Sequence, residues 1–247
     1  MEHEFAGVDF VFHQAAIPSV PRSIKDPLAT NDVNIRGTLN VLLAARDNNV
    51  KKFIFASSSS VYGDTEELPK RESMPSDPQS PYALTKMVGE SYCKVFSRIY
   101  QLPCVCLRYF NVYGPRQRAD SAYSAVIPRF IASLNQNSPP VIFGDGSQTR
   151  DFTFIRDVVD ANILAAERAP AGIYNIGAGQ QISVLSLAET IAQIMGRTIH
   201  AEFKGMRLGD VHDSLADISL ANSFGYHPRY NLKEGLRQTI EGVLDAR

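Results

Sequence analysis

Apolar residues in the first half of this chain alternate between two periods. Val8-Asp9-Phe10-Val11-Phe12-His13 is a short β-branched and aromatic run, the pattern of a buried strand. After a loop carrying Pro18 and Pro21, Val33, Leu39, Leu42 and Leu43 recur at helical spacing within Asp26–Asn48. Lys52–Ala56 predicts a second strand, and the polar, proline-rich stretch Ser57–Ser80 a loop. Pro81 opens a helix, in the first-turn position that proline tolerates, which runs to about Tyr100. Cys104–Tyr109 is a third strand. Strand, helix, strand, helix, strand is the order of a doubly wound parallel sheet.

Beyond Asn111 the rhythm shortens. Helices predicted over Ala125–Asn135, Val158–Glu167, Leu185–Met195 and Leu232–Leu244 alternate with strands at Val141–Phe143, Ile173–Ile176 and His200–Phe203. The chain divides into a sheet domain over 1–115 and a smaller α/β lobe over 116–247, some of whose segments return to the sheet. A lobe covering the carboxyl ends of a parallel sheet creates a cleft where ligands bind.

Composition removes several classes of function. With 25 basic and 26 acidic residues the net charge is -1, which leaves no electrostatic case for nucleic acid or an anionic membrane. No apolar run approaches the ~20 residues of a membrane span. The opening residues carry Glu2, Glu4 and Asp9 with no basic stretch, so they do not read as a secretory signal. Cys93, Cys104 and Cys106 have no pairing pattern and suit a reducing, cytoplasmic setting. The five histidines lack ligand spacing, so no metal site is expected.

The candidate chemistry begins with Tyr82 and Lys86, four apart on one helix and therefore on one face. A phenol titrates near ~10, and an ammonium one turn away favours its phenolate, making Tyr82 a candidate general base. Tyr-x-x-x-Lys alone is a weak signal. The serine run Ser57–Ser60 strengthens it, because it ends the second strand at the edge where substrate hydroxyls would lie.

Seven stretches, in order along nearly the whole chain, carry a resemblance: HQAA (13–16), SSSSVYGD (57–64), PQSPYALTK (78–86), LRYFNVYGPRQ (107–117), QTRDFTFIRDV (148–158), YNIG (174–177) and RLGDVHDSLADIS (207–219). They resemble the extended short-chain dehydrogenase/reductase (NAD-dependent epimerase/dehydratase) family. The loop IPSVPRSIKDP (17–27) is similar to the UDP-N-acetylglucosamine and UDP-N-acetylglucosaminuronate 4-epimerases within it. The resemblance implies a Rossmann-type sheet, NAD as cofactor, a UDP-sugar as substrate, a homodimer and a place in polysaccharide biosynthesis. Tyr82 would take the O4 proton as hydride leaves C4, and Lys86 would hold the nicotinamide ribose. Ser58 and Ser59 would meet O4, and Tyr109, Ala15 and Ala16 would line the cofactor. Asn111, Val126, Arg150, Arg207, Asp210 and Ser214 would hold the substrate. Arginines suit a pyrophosphate because a guanidinium meets its oxygens as a fixed fork.

Two absences qualify this. Family dehydratases place Asp-Glu, and decarboxylases Glu, before the Val-Tyr-Gly; here those places hold Ser59 and Ser60, which argues for simple epimerisation. The family's opening strand and Gly-x-x-Gly-x-x-Gly turn have no counterpart; Gly7 is the only glycine before Gly37. The chain therefore reads as an incomplete sheet shortened by roughly 60–70 residues, two βαβ units, with weakened NAD binding. The alternatives are a catalytically silent nucleotide-sugar-binding or assembly protein and, within the family, a UDP-glucose 4-epimerase.

Overall fold

The structure, a computed structural model, describes residues 4–117, 125–205 and 212–244. In chain order its elements are β1 (Phe10–His13), α1 (Val20–Lys25), α2 (Pro27–Asn31), α3 (Gly37–Asp47), β2 (Lys52–Ser58), α4 (Pro81–Ile99), β3 (Cys104–Tyr109), β4 (Val112–Tyr113), α5 (Val126–Asn135), β5 (Val141–Phe143), β6 (Thr149–Arg150), β7 (Thr153–Phe154), α6 (Ile155–Glu167), β8 (Gly172–Ile176), β9 (Ile182–Ser183), α7 (Val184–Ile194), β10 (Glu202–Lys204), α8 (Ser219–Asn222) and α9 (Leu232–Leu244). No helix among the described residues is long and apolar enough to cross a membrane.

The main sheet has the order β1-β2-β3-β8 and is parallel throughout. Phe53–Ala56 and Cys104–Leu107 are buried, as expected of central parallel strands covered on both faces. One face packs Leu42, Phe53, Phe55, Cys93, Phe96 and the other two cysteines under α3 and α4. Ile54, Leu107, Ala161, Ala165 and Phe224 fill the opposite face with α6 and α8. A separate core, with Phe130, Ile131, Phe154, Leu187 and Leu236 among its members, lies between α5, α7 and α9. Thus α6 and β8, although late in the chain, belong to the main sheet.

Helix α4 positions the site. Ser80 caps it, its Oγ accepting from Ala83 N at 3.1 Å, and Pro81 occupies the first turn. Gly89 lets the helix press on β2: a Cβ there would lie 2.3 Å from the Phe55 ring. The predicted single helix over Asp26–Asn48 is instead interrupted by a π turn at Asp32–Arg36. That turn carries Asn34, buried, whose amide clamps both Ile17 backbone groups (N–H to Oδ1, 2.8 Å; Nδ2 to O, 3.3 Å) and donates to Thr85 Oγ1 at 3.0 Å. The strand predicted at His200–Phe203 is β10, which begins two residues later, ends one later, and is exposed.

His13 closes β1 beneath this clamp. Thr38 Oγ1 spends its proton on Asn34 O (2.6 Å), so it accepts from His13 Nε2–H at 2.9 Å, which fixes the tautomer. Burial, then the nearby Lys86 charge, pull the imidazole down to about 4. The unfolded chain binds this proton first, so the stability from neutral His13 is present above pH ~6.5 and lost as pH falls toward 4. Wild type should lose about 2 kcal/mol relative to His13→Leu between pH 7 and 5 in denaturant titrations. A constant difference would refute this.

Candidate active site

The carboxyl ends of β2 and β3 open into a cavity of about 490 Å³. Ser58, Ser59, Tyr82, Tyr109, Asn111, Arg150 and Ser214 all line it, joining predicted residues from across the sequence, and Ser60 lines it beside them. Ser57 and Ser58, expected in a loop, extend β2 so that the cavity floor begins on a rigid strand.

The serines form a relay. Ser58 Oγ accepts from Ser60 N (3.2 Å) and from the Ser60 hydroxyl (2.9 Å), leaving its own proton for the Tyr82 hydroxyl beside it. Burial pushes the Tyr82 phenol up, and the Ser58 hydrogen bond opposes it by favouring the phenolate. Lys86 lies on the same face of α4 as Tyr82, held by the end of β2. Its Nζ lies 5.9 Å from the Tyr82 ring centroid and donates to Ala56 O at 2.6 Å, while burial pulls it down to about 8. An ammonium carries three donors, so among the described residues two N–H groups of this buried lysine remain for a ligand. Ser60 was not among the sequence-predicted residues; its place in the serine run was the available signal.

A buried charge network underlies the serines. Glu90, one turn beyond Lys86, accepts from Ser57 Oγ (2.5 Å) and takes the Arg108 guanidinium in a fork, Nε at 2.9 Å and Nη2 at 2.7 Å. Arg108 lies 4.6 Å from the centroid of the Tyr62 ring, and Tyr62 donates to Asn175 Oδ1 at 2.6 Å. One network thus ties α4 to the ends of β2, β3 and β8.

A second cavity, of about 240 Å³, adjoins the first and shares Asn111, Val112 and Arg150 with it. Its lining is largely apolar, with Phe130, Phe143, Val184 and the predicted Val126, and Gln148 adds an amide. Arg150 stands where the cavities meet, its Nη1 held by the carbonyls of Thr149 (2.8 Å) and His212 (2.9 Å). Phe143 went unrecognised in the sequence because Val141–Phe143 reads as core strand, and Gln148, the first residue of the quoted QTRDFTFIRDV stretch, had been given no role.

Of the residues the resemblance assigns to the cofactor, Tyr109 shares hydrogen bonds with Gln14 and Asn162 (Tyr109 hydroxyl to Asn162 Oδ1, 3.0 Å). Ala15 and Ala16 follow β1 without lining either cavity. Small side chains just past a parallel strand let a ligand approach the backbone, so these residues and the donor-rich Lys86 fit a nicotinamide ribose. Arg207 and Asp210 lie outside the described residues.

Half-buried Tyr82 and buried Lys86, beside a serine-ended strand at the carboxyl edge of a parallel sheet, form the arrangement that the short-chain dehydrogenase/reductase resemblance implies. The chain belongs to the NAD dependent epimerase/dehydratase family, whose model matches residues 1–177, and NAD is its cofactor. It is similar to a UDP-glucose 4-epimerase of Mycolicibacterium smegmatis, 39% identical over 236 residues, 94% of this chain and 75% of that protein. Among solved structures it is similar to the UDP-N-acetylglucosamine 4-epimerase of Methanobrevibacter ruminantium M1 in complex with UDP-N-acetylmuramic acid, at 41% identity and TM-score 0.98, covering 100% of this chain and 80% of that one. The UDP-glucuronic acid 4-epimerase of Bacillus cereus, in complex with UDP-glucuronic acid and NAD, shares 35% identity at TM-score 0.93, covering 100% and 78%.

Proposed function

We propose that the chain is a UDP-hexose 4-epimerase working through a 4-keto sugar, with an N-acetylated hexose or its uronate as substrate. The observation that carries this is the pair of adjoining cavities: Tyr82 and Ser58 at one end, an apolar pocket for a base at the other, Arg150 between. That order suits sugar, pyrophosphate and nucleoside in turn. NAD, when bound, supplies the hydride acceptor. Tyr82 takes the O4 proton, Ser58 aligns O4, and Lys86 donates to the ribose. No carboxylate occupies the places of Ser59 and Ser60, so proton removal at C5 has no base there. The experiment is incubation with NAD and UDP-N-acetylglucosamine, with the C4 epimer read by NMR. Binding without epimer would favour the nucleotide-sugar-binding alternative.

Ser214 carries the case for an N-acetylated sugar. It lines the larger cavity, is 7% exposed, and its N–H is fixed on Thr149 O at 3.2 Å. A small side chain on a fixed backbone leaves room for a 2-acetamido group. Ser214→Tyr should therefore lower turnover of UDP-N-acetylglucosamine about 10–100-fold more than that of UDP-glucose, through steric exclusion. Equal losses on the two sugars would show that residue 214 does not touch the 2-position and would leave the choice between the two sugars open.

A further inference from the structure

The larger cavity contains an ionisable group that the proposed chemistry does not use. Lys70 lines it and is only 2% exposed, although the surrounding sequence reads as a polar loop. Its main chain is locked: the N–H donates to Leu215 O at 2.7 Å, and the carbonyl accepts from Asp217 N (2.9 Å) and Asn175 Nδ2 (2.8 Å). The segment that carries Ser214 therefore holds Lys70 in place.

The ammonium is only partly satisfied. It donates to the Thr65 carbonyl and to Thr65 Oγ1, which leaves one of three donors without a partner among the described residues. Asp64, Glu67 and Asp213 act on it through longer-range attraction, and it forms no ion pair with any of them. A buried cation without a paired anion is costly, and an anion brought by a ligand would complete the site. Lys70 lines the cavity of Tyr82 and Ser58 but not the apolar one, whereas Arg150 lines both. Its anion therefore belongs to the sugar end rather than to the base end.

We propose that Lys70 recognises a carboxylate on the hexose, so that this chain selects a UDP-uronate over the corresponding UDP-hexose. The proposal rests on reading the two cavities as a UDP-sugar site. A charge-assisted hydrogen bond in a buried setting corresponds to about 10–100-fold in affinity.

The test is calorimetric titration of the full chain with UDP, UDP-glucose and UDP-glucuronate, and it needs no turnover. Wild type should bind UDP-glucuronate about 10–100-fold more tightly than UDP-glucose. Lys70→Met should abolish that preference while keeping UDP affinity, and Lys70→Arg should retain it. Equal wild-type affinities for the two sugars, with UDP bound, overturn the proposal whatever the variants do. A preference that survives Lys70→Met overturns it as well. Equal loss of UDP and both sugars in Lys70→Met, with Lys70→Arg still binding, places the lysine at the pyrophosphate and also overturns it. Failure of wild type to bind UDP overturns the nucleotide-sugar reading, and this proposal with it.

Discussion

Tyr82→Phe should lower the rate of epimer formation about 10²–10⁴-fold, with UDP affinity unchanged. The substitution keeps the ring, whose packing on α4 is undisturbed, and removes only the hydroxyl that Ser58 addresses. On the proposed reading Arg150 and the apolar cavity would hold the nucleotide away from Tyr82, so binding and chemistry should separate. Lost turnover with retained UDP binding is therefore diagnostic. The Ser58 proton would then lack its phenol acceptor, so Ser58→Ala added to Tyr82→Phe should cost much less than it does alone. Unchanged turnover in Tyr82→Phe would remove this residue from the chemistry.

Glu90→Ala should be the most destabilising single change at the site. Glu90 and Arg108 are nearly inaccessible, and the carboxylate holds both the guanidinium fork and the Ser57 hydroxyl. Removing one member of a buried pair leaves the other charged, desolvated and unpaired, at a cost of about 3–5 kcal/mol. For a chain of this size that corresponds to a fall in Tm of roughly 6–20 °C. Glu90→Gln retains the side-chain volume and one acceptor and should fall between alanine and wild type. Arg108→Met in the Glu90→Ala background should recover part of the loss, since the stranded cation is gone. Scanning calorimetry of the four proteins tests the series. A double variant no more stable than Glu90→Ala would show that packing, not the uncompensated charge, sets the cost.

Much of the main sheet was legible because central parallel strands are continuous apolar runs, and these differ sharply from the helical period around them. Tyr82, Lys86 and Ser58 were legible for a related reason: a fixed spacing on one helix and a serine run at one strand end survive translation into three dimensions. Two-residue strands such as β6 and β9 carry no period and were invisible. The π turn was missed because a single widened turn shifts the apolar phase without breaking it. Glu90 and Arg108 had left a signal, an arginine inside the apolar strand Cys104–Tyr109 and an acid four residues past Lys86. The Lys70 environment had left none, since its burial depends on a segment about 145 residues later in the chain.

The Asn34 clamp has a consequence for how ligand engagement could be followed. Because the Ile17 amide is donated to a side chain rather than to a sheet or helix, its hydrogen exchange is governed by opening of this one contact. Asn34 also donates to Thr85, the neighbour of Lys86, so the loop after β1 and α4 share an anchor. Slower Ile17 exchange on ligand addition would thus report tightening around Lys86 from a position outside either cavity.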